Sequence, residues 1–114
     1  MKQRKRPYVI CHMVPSIDGR IVTDRWDMPR TIHSEYERTA RTFDADAWML
    51  GRISTEPYAG KAPLQTSKAS SPIPRTDFVA QTRAPGFAIA LDPLGKLAWT
   101  SASIDGAHVI SVLS

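Results

Sequence analysis

Residues 44–55 read DADAWMLGRIST. Asp44 and Asp46 lead into a short apolar run, Ala47 to Leu50, which stops at Gly51. A run of that length between polar residues and a glycine is predicted to be a buried strand. What leaves the strand matters as much. Gly51 lets a ligand approach the backbone closely. A short helix from Arg52 onward would offer unpaired N–H groups and a positive dipole end to a phosphate. Arg52 would add a charge-assisted contact, and the hydroxyls of Ser54 and Thr55 would add donors. The plainer reading of the same residues is a serine-capped helix with an exposed arginine. The stretch lacks the second glycine and the Gly-Lys-Ser/Thr ending of a Walker A loop, and it is not G-x-G-x-x-G.

Upstream, HSEYERTARTF (His33 to Phe43) is predicted to be a helix. Ser34 and Glu37 have capping-box spacing. Tyr36, Ala40 and Phe43 fall on one stripe, and Glu37 and Arg41 stand at i,i+4 in the favourable order. Tyr8 to Val14, apolar and bounded by Pro7 and Pro15, is predicted to be a first buried strand. Strand, helix and strand in this order form a β-α-β unit, normally a right-handed parallel crossover. The stretch between, containing Pro29, reads as a loop with a short strand at Ile21 to Thr23.

Downstream, residues 59–76, AGKAPLQTSKASSPIPRT, have no period and read as a long surface loop. DFVA (77–80), FAIALD (87–92), KLAW (96–99) and AHVISVL (107–113) follow as short strands. Pro85-Gly86, Asp92-Pro93-Leu94-Gly95 and Asp105-Gly106 mark the turns between them. The alternation predicts an α/β fold in a single domain, residues 8–114, behind a basic tail at 1–7.

SIDGR, Ser16 to Arg20, leaves the first predicted strand. Asp-Gly is a common turn signal, with Gly19 supplying positive φ and Asp18 bonding its own backbone. Loops at the carboxyl ends of strands in α/β sheets are also where ligands bind. Ser16, Asp18 and Arg20 would offer a hydroxyl, a carboxylate and a fixed cation to a polar, phosphorylated ligand.

Charge and composition narrow the partners. The net charge of +4 comes from Lys2, Arg4, Lys5 and Arg6; the remainder holds eleven basic and eleven acidic residues. No folded element carries a basic stripe, so nucleic acid is not an expected partner. There is no apolar run of about 18 residues, so no membrane span is expected, and the N-terminus lacks the apolar core of a signal peptide. The single Cys11, in an apolar stretch, is expected to be buried in a reducing compartment, which places the protein in the cytoplasm. Cys11 and His12 are strand neighbours pointing to opposite faces, so no metal site is expected. No G-x-S-x-G elbow supports a hydrolase. Trp26, Trp48 and Trp99 read as core or pocket walls.

Taken together, a strand leading into SIDGR, a helix, and then DAWMLGRIST resemble the C-terminal reductase domain of the riboflavin-biosynthesis deaminase-reductase family. The likeness covers residues 8 to 58, and LDPLGKLAW more loosely. It implies a dihydrofolate-reductase-like fold, with a mixed, mainly parallel sheet flanked by helices, here the N-terminal half of such a domain. It also implies an NADPH-dependent reductase, homodimeric at full length, acting on a phosphorylated pyrimidine, 5-amino-6-(5-phosphoribosylamino)uracil, by hydride transfer to its ring-opened ribose. By position, Val14 and Ser16 would border the nicotinamide and ribose. Asp18 and Arg20 would line the substrate pocket, and Gly51, Arg52, Ser54 and Thr55 would hold the cofactor phosphates. Ser54 stands where that family most often has threonine, and Thr42 stands where it has a substrate-phosphate arginine. Two alternatives remain open: dihydrofolate reduction, recruiting Glu35 or Glu37, and a non-catalytic fragment or ligand-binding module.

Overall fold

A computed structural model describes residues 6–61, 71–72, 74–80 and 83–114. The chain is α/β, and it divides into two compact units, Met1–Asp44 and Ala45–Ser114.

The first unit is built on one helix, α1, Arg30–Arg41. It begins earlier than its sequence signals predict. Pro29 is the N-cap, with φ −57 and ψ 140, and no side chain caps the end. Proline's fixed φ and missing N–H suit the start of a helix, where a donor would have no partner. Ser34 is therefore not a cap: it sits inside the helix and donates its hydroxyl to Thr31 O at 2.9 Å. The surface ion pair is Glu35 with Arg38, Nη2 to Oε2 at 2.6 Å, not the predicted Glu37 with Arg41. The Glu35 carboxylate holds the Arg38 guanidinium above its usual pKa, by hydrogen bond first and charge second.

The predicted stripe is present in part. Ile32, Tyr36 and Ala40 are half-buried, whereas Phe43 lies past the helix end and is exposed. Residues 8–14 are not a strand, and neither are 21–23. Tyr8 is 91% exposed and Val9 67%, so the apolar run lies uncovered, and Cys11 is exposed, not buried. A strand needs a neighbour to take its N–H and C=O groups, and 8–14 pairs with none among the described residues. His12 instead fastens the segment to α1. Its ring stacks on Tyr36 with centroids 4.2 Å apart, meets Phe43 edge-on at 5.4 Å, and donates from Nε2 to Tyr36 O at 3.1 Å.

The second unit is a four-stranded sheet in the order β1-β2-β4-β3. The strands are β1 (Ala47–Gly51), β2 (Phe87–Leu91), β3 (Ser103–Ile104) and β4 (Ala107–Val112). β1, β2 and β4 are mutually parallel, and β3 runs antiparallel to β4. The parallel crossover therefore joins β1 to β2, in place of a crossover from residues 8–14 to β1. The four-residue helix α2 (Arg52–Thr55) and a 3-10 turn at Glu56–Tyr58 follow β1 directly. Most of the predicted loop at 59–76 lies outside the described residues. DFVA is not a strand, and KLAW is reduced to one antiparallel bridge, Ala98 to Gly60.

Two predicted turns shape this unit. Asp105 and Gly106 both have positive φ, 48 and 83, and join β3 to β4 by a two-residue turn. That conformation matches the twist of the paired strands, and Asp-Gly is among the sequences that adopt it. After β2, the Gly95 N–H donates to Asp92 O at 2.9 Å, with Gly95 at φ 60. The core is small: Ala88, Ile104 and Ala107 are buried, with Trp99 and Val109 packed against them. Trp48, on β1, is 37% exposed.

Candidate functional site

The predicted site residues fall one group in each unit, and each group has its own geometry. In the first unit, SIDGR is a closed turn. The Gly19 N–H donates to Ser16 O at 2.9 Å, and the Ser16 N–H to Arg20 O at 2.8 Å. Gly19 has φ 80, the left-handed conformation a three-residue hairpin loop needs at its last position. The side chains close the same loop. The Ser16 hydroxyl donates to Asp18 Oδ1 and accepts the Arg20 N–H at 3.0 Å. Arg20 Nε meets Asp18 Oδ2 at 2.9 Å, with the side chains 78% and 58% exposed.

The turn and the polar cluster are thus one object, in which Ser16, Asp18 and Arg20 satisfy each other. A solvated ion pair of this kind is weak, so a stronger anion can draw Arg20 away from Asp18. Ile17, at the tip, is fully exposed.

Val14 is not part of that turn. It lines a cleft of about 500 Å³ with His12, Thr31, Ile32, Glu35 and Tyr36. Apolar walls, an aromatic pair and one carboxylate, at this size, suit a small heterocyclic ligand. The Glu35 carboxylate is the polar anchor, and Arg38 holds it from outside the cleft lining. The sequence offers Glu35 only as an alternative to Glu37, and nothing in it sets His12 beside Tyr36, since the two meet only after folding.

In the second unit, Gly51, Arg52, Ser54 and Thr55 leave the carboxyl end of β1 as predicted. Their roles separate. A Cβ added to Gly51 would meet nothing within 4 Å, so the backbone there is open to a ligand. Ser54 is exposed. Thr55 is 1% exposed and donates its hydroxyl back to Gly51 O at 2.9 Å. Thr55 is therefore a structural residue of α2 and not a phosphate donor, which corrects its predicted role.

Arg52 pairs with Glu56 through Nη1. A guanidinium has five N–H donors, so that pair leaves others for an anion, although Glu56 opposes one nearby. α2 is a single turn, so its dipole is slight and the phosphate affinity rests on Arg52, Ser54 and the open Gly51 backbone. These donors fit one phosphate group. Protein-family models, curated proteins and solved structures were all compared with the chain, and none matches.

Proposed function

We propose that the chain is an NADPH-dependent reductase of the riboflavin-biosynthesis type, the N-terminal half of a dihydrofolate-reductase-like domain. One observation carries the reading: GRIST leaves the carboxyl end of β1 in the parallel set β1-β2-β4. Ligands of open α/β sheets bind at that end. The step from fold to activity is by analogy, and the residues supply the chemistry.

Arg52 and Ser54 bind the 2′-phosphate, with the Gly51 backbone leaving room for it. NADPH supplies the hydride. Ring opening leaves C1′ of the substrate as an imine carbon. Hydride adds to C1′, the C=N electron pair passes to the nitrogen, and Arg20, drawn from Asp18, faces that nitrogen, where negative charge grows. Asp18, released from Arg20, accepts a hydrogen bond from a ribose hydroxyl. The proton comes from solvent. The enzyme acts as a homodimer and works in the cytoplasm. Among the described residues no helix is long and apolar enough to cross a membrane.

The test is cofactor binding followed by tryptophan fluorescence, then turnover of 5-amino-6-(5-phosphoribosylamino)uracil. Arg52→Ala is expected to weaken NADPH about tenfold, the loss of one charged hydrogen bond, and to leave NADH unchanged. Equal loss of both cofactors removes the assignment of Arg52 to the 2′-phosphate.

A second reading is favoured by the cleft of the first unit. Glu35, on a helix beside apolar and aromatic walls, suits a pteridine, whose ring nitrogens would donate to the carboxylate. Turnover of dihydrofolate but not of the phosphorylated pyrimidine selects that reading. No cofactor binding and no turnover selects a ligand-binding module.

A further inference from the structure

The second unit holds another cleft, of about 360 Å³, that the assignment above does not use. Its lining includes Glu56, Gly60, Lys61, Lys96, Leu97 and Ala98. Two segments meet along it. The Gly60 N–H donates to Ala98 O at 2.6 Å, and the two residues form an antiparallel bridge. They are pressed together so closely that a Cβ on Gly60 would stand 2.7 Å from Ala98 O and 2.6 Å from Thr100 Cγ2.

A second anchor holds the other side. The buried Asp92 carboxylate accepts the Leu97 N–H at 2.8 Å, which fixes the backbone next to Lys96. Lys61 and Lys96 therefore flank the cleft from backbone positions that are each fixed by a hydrogen bond one residue away.

The charges in the lining are unbalanced. Glu56, its one carboxylate, is already taken by Arg52. Lys61 and Lys96 make no ion pair among the described residues. Two free ammonium groups, held apart on fixed backbone, attract an anion that can reach both. A phosphate ester or diphosphate carries more charge and more acceptor oxygens than a single carboxylate, and so suits a pair of ammonium groups better. We propose that this cleft binds the phosphate group of a ligand between Lys61 and Lys96. None of the residues assigned to NADPH lines the cleft, and the one link between the two sites is the Arg52–Glu56 pair.

Titration of the full chain with inorganic pyrophosphate, followed by calorimetry and by NMR shifts of backbone amides, tests it. The largest shifts are expected at Gly60, Lys61, Lys96 and Leu97, with affinity falling as salt is raised. Lys61→Gln and Lys96→Gln should each weaken binding about fivefold, the scale of an exposed ion pair, and the double variant should lose it. Arg25→Gln, an exposed control in the other unit, should leave it unchanged. An unchanged affinity in the folded double variant overturns the proposal, as do shifts confined to residues 6–20. Weakened NADPH binding in Ser54→Ala with pyrophosphate binding unchanged separates this site from the cofactor assignment, since Ser54 neither lines the cleft nor pairs with Glu56.

Discussion

Asp92 Oδ2 accepts the Leu97 N–H at 2.8 Å, while Oδ1 of the same carboxylate is buried with no hydrogen-bond partner among the described residues. Asp92 sits just past β2, 1% exposed, and its backbone N–H donates to Val112 O at 3.0 Å. It ties the end of one parallel strand, the end of its neighbour and the following loop together.

Asp92→Ala leaves the Leu97 N–H without a partner, so it should cost about 1–3 kcal/mol, the penalty for an unsatisfied buried donor. Asp92→Asn keeps an acceptor for that N–H and removes the buried charge, so it should cost less. Urea unfolding of the two variants checks the order. Asn costing more than Ala would mean that the amide NH2, buried where Oδ1 has no partner, costs more than the retained acceptor gains.

Gly60 and Gly51 separate packing from access. Alanine at 60 meets Thr100 Cγ2 and Ala98 O well inside contact distance, so Gly60→Ala should destabilise by about 1–3 kcal/mol, as overpacking does. Alanine at 51 meets nothing within 4 Å, and φ there is −73. Gly51→Ala should therefore leave the melting temperature nearly unchanged while reducing NADPH affinity, because its methyl fills the space the ligand needs. Thermal unfolding and a cofactor titration on both variants give the two halves of the comparison.

The hairpin between β3 and β4 depends on two successive positive φ values. Gly106→Ala should cost about 1 kcal/mol, since any side chain is strained at φ 83. Asp105→Asn should be neutral, because asparagine tolerates the same left-handed conformation. Chemical denaturation resolves the difference.

The elements that could be read from the sequence are those whose signal is local. Asp105-Gly106, Gly19 and Gly95 mark turns because their backbone conformation is a property of a few adjacent atoms, and all three have positive φ. β1, β2 and β4 show as the apolar runs usual in parallel strands, although in this sheet β1 has no buried residue and β4 is exposed from Ile110 to Val112. Ser34 and Glu37 have the spacing of a cap but lie inside α1, and Pro29 supplies its actual boundary. Residues 8–14 have the composition of a strand, but strand pairing is non-local, and composition does not specify the partner. The same holds at the site. SIDGR and GRIST were visible as motifs, whereas the inward bond of Thr55 and the pressing of Gly60 on Ala98 depend on residues that meet only after folding.

Ser54 and Thr55 are adjacent hydroxyls in α2, but only one is free for a ligand. The Thr55 hydroxyl donates to Gly51 O at 2.9 Å and the residue is 1% exposed. Thr55→Val keeps the shape and removes that donor, so it should cost about 1 kcal/mol of stability and leave phosphate affinity unchanged in the folded protein. Ser54 is exposed and has no packing to lose, so Ser54→Ala should leave stability unchanged and weaken NADPH binding severalfold. Measuring both properties on both variants gives a crossed pattern that a purely structural α2 would not produce. If Ser54→Ala binds NADPH as tightly as the parent, Arg52 and the Gly51 backbone hold the phosphate without it. If Thr55→Val alone weakens binding, the Thr55 hydroxyl turns outward when the ligand arrives.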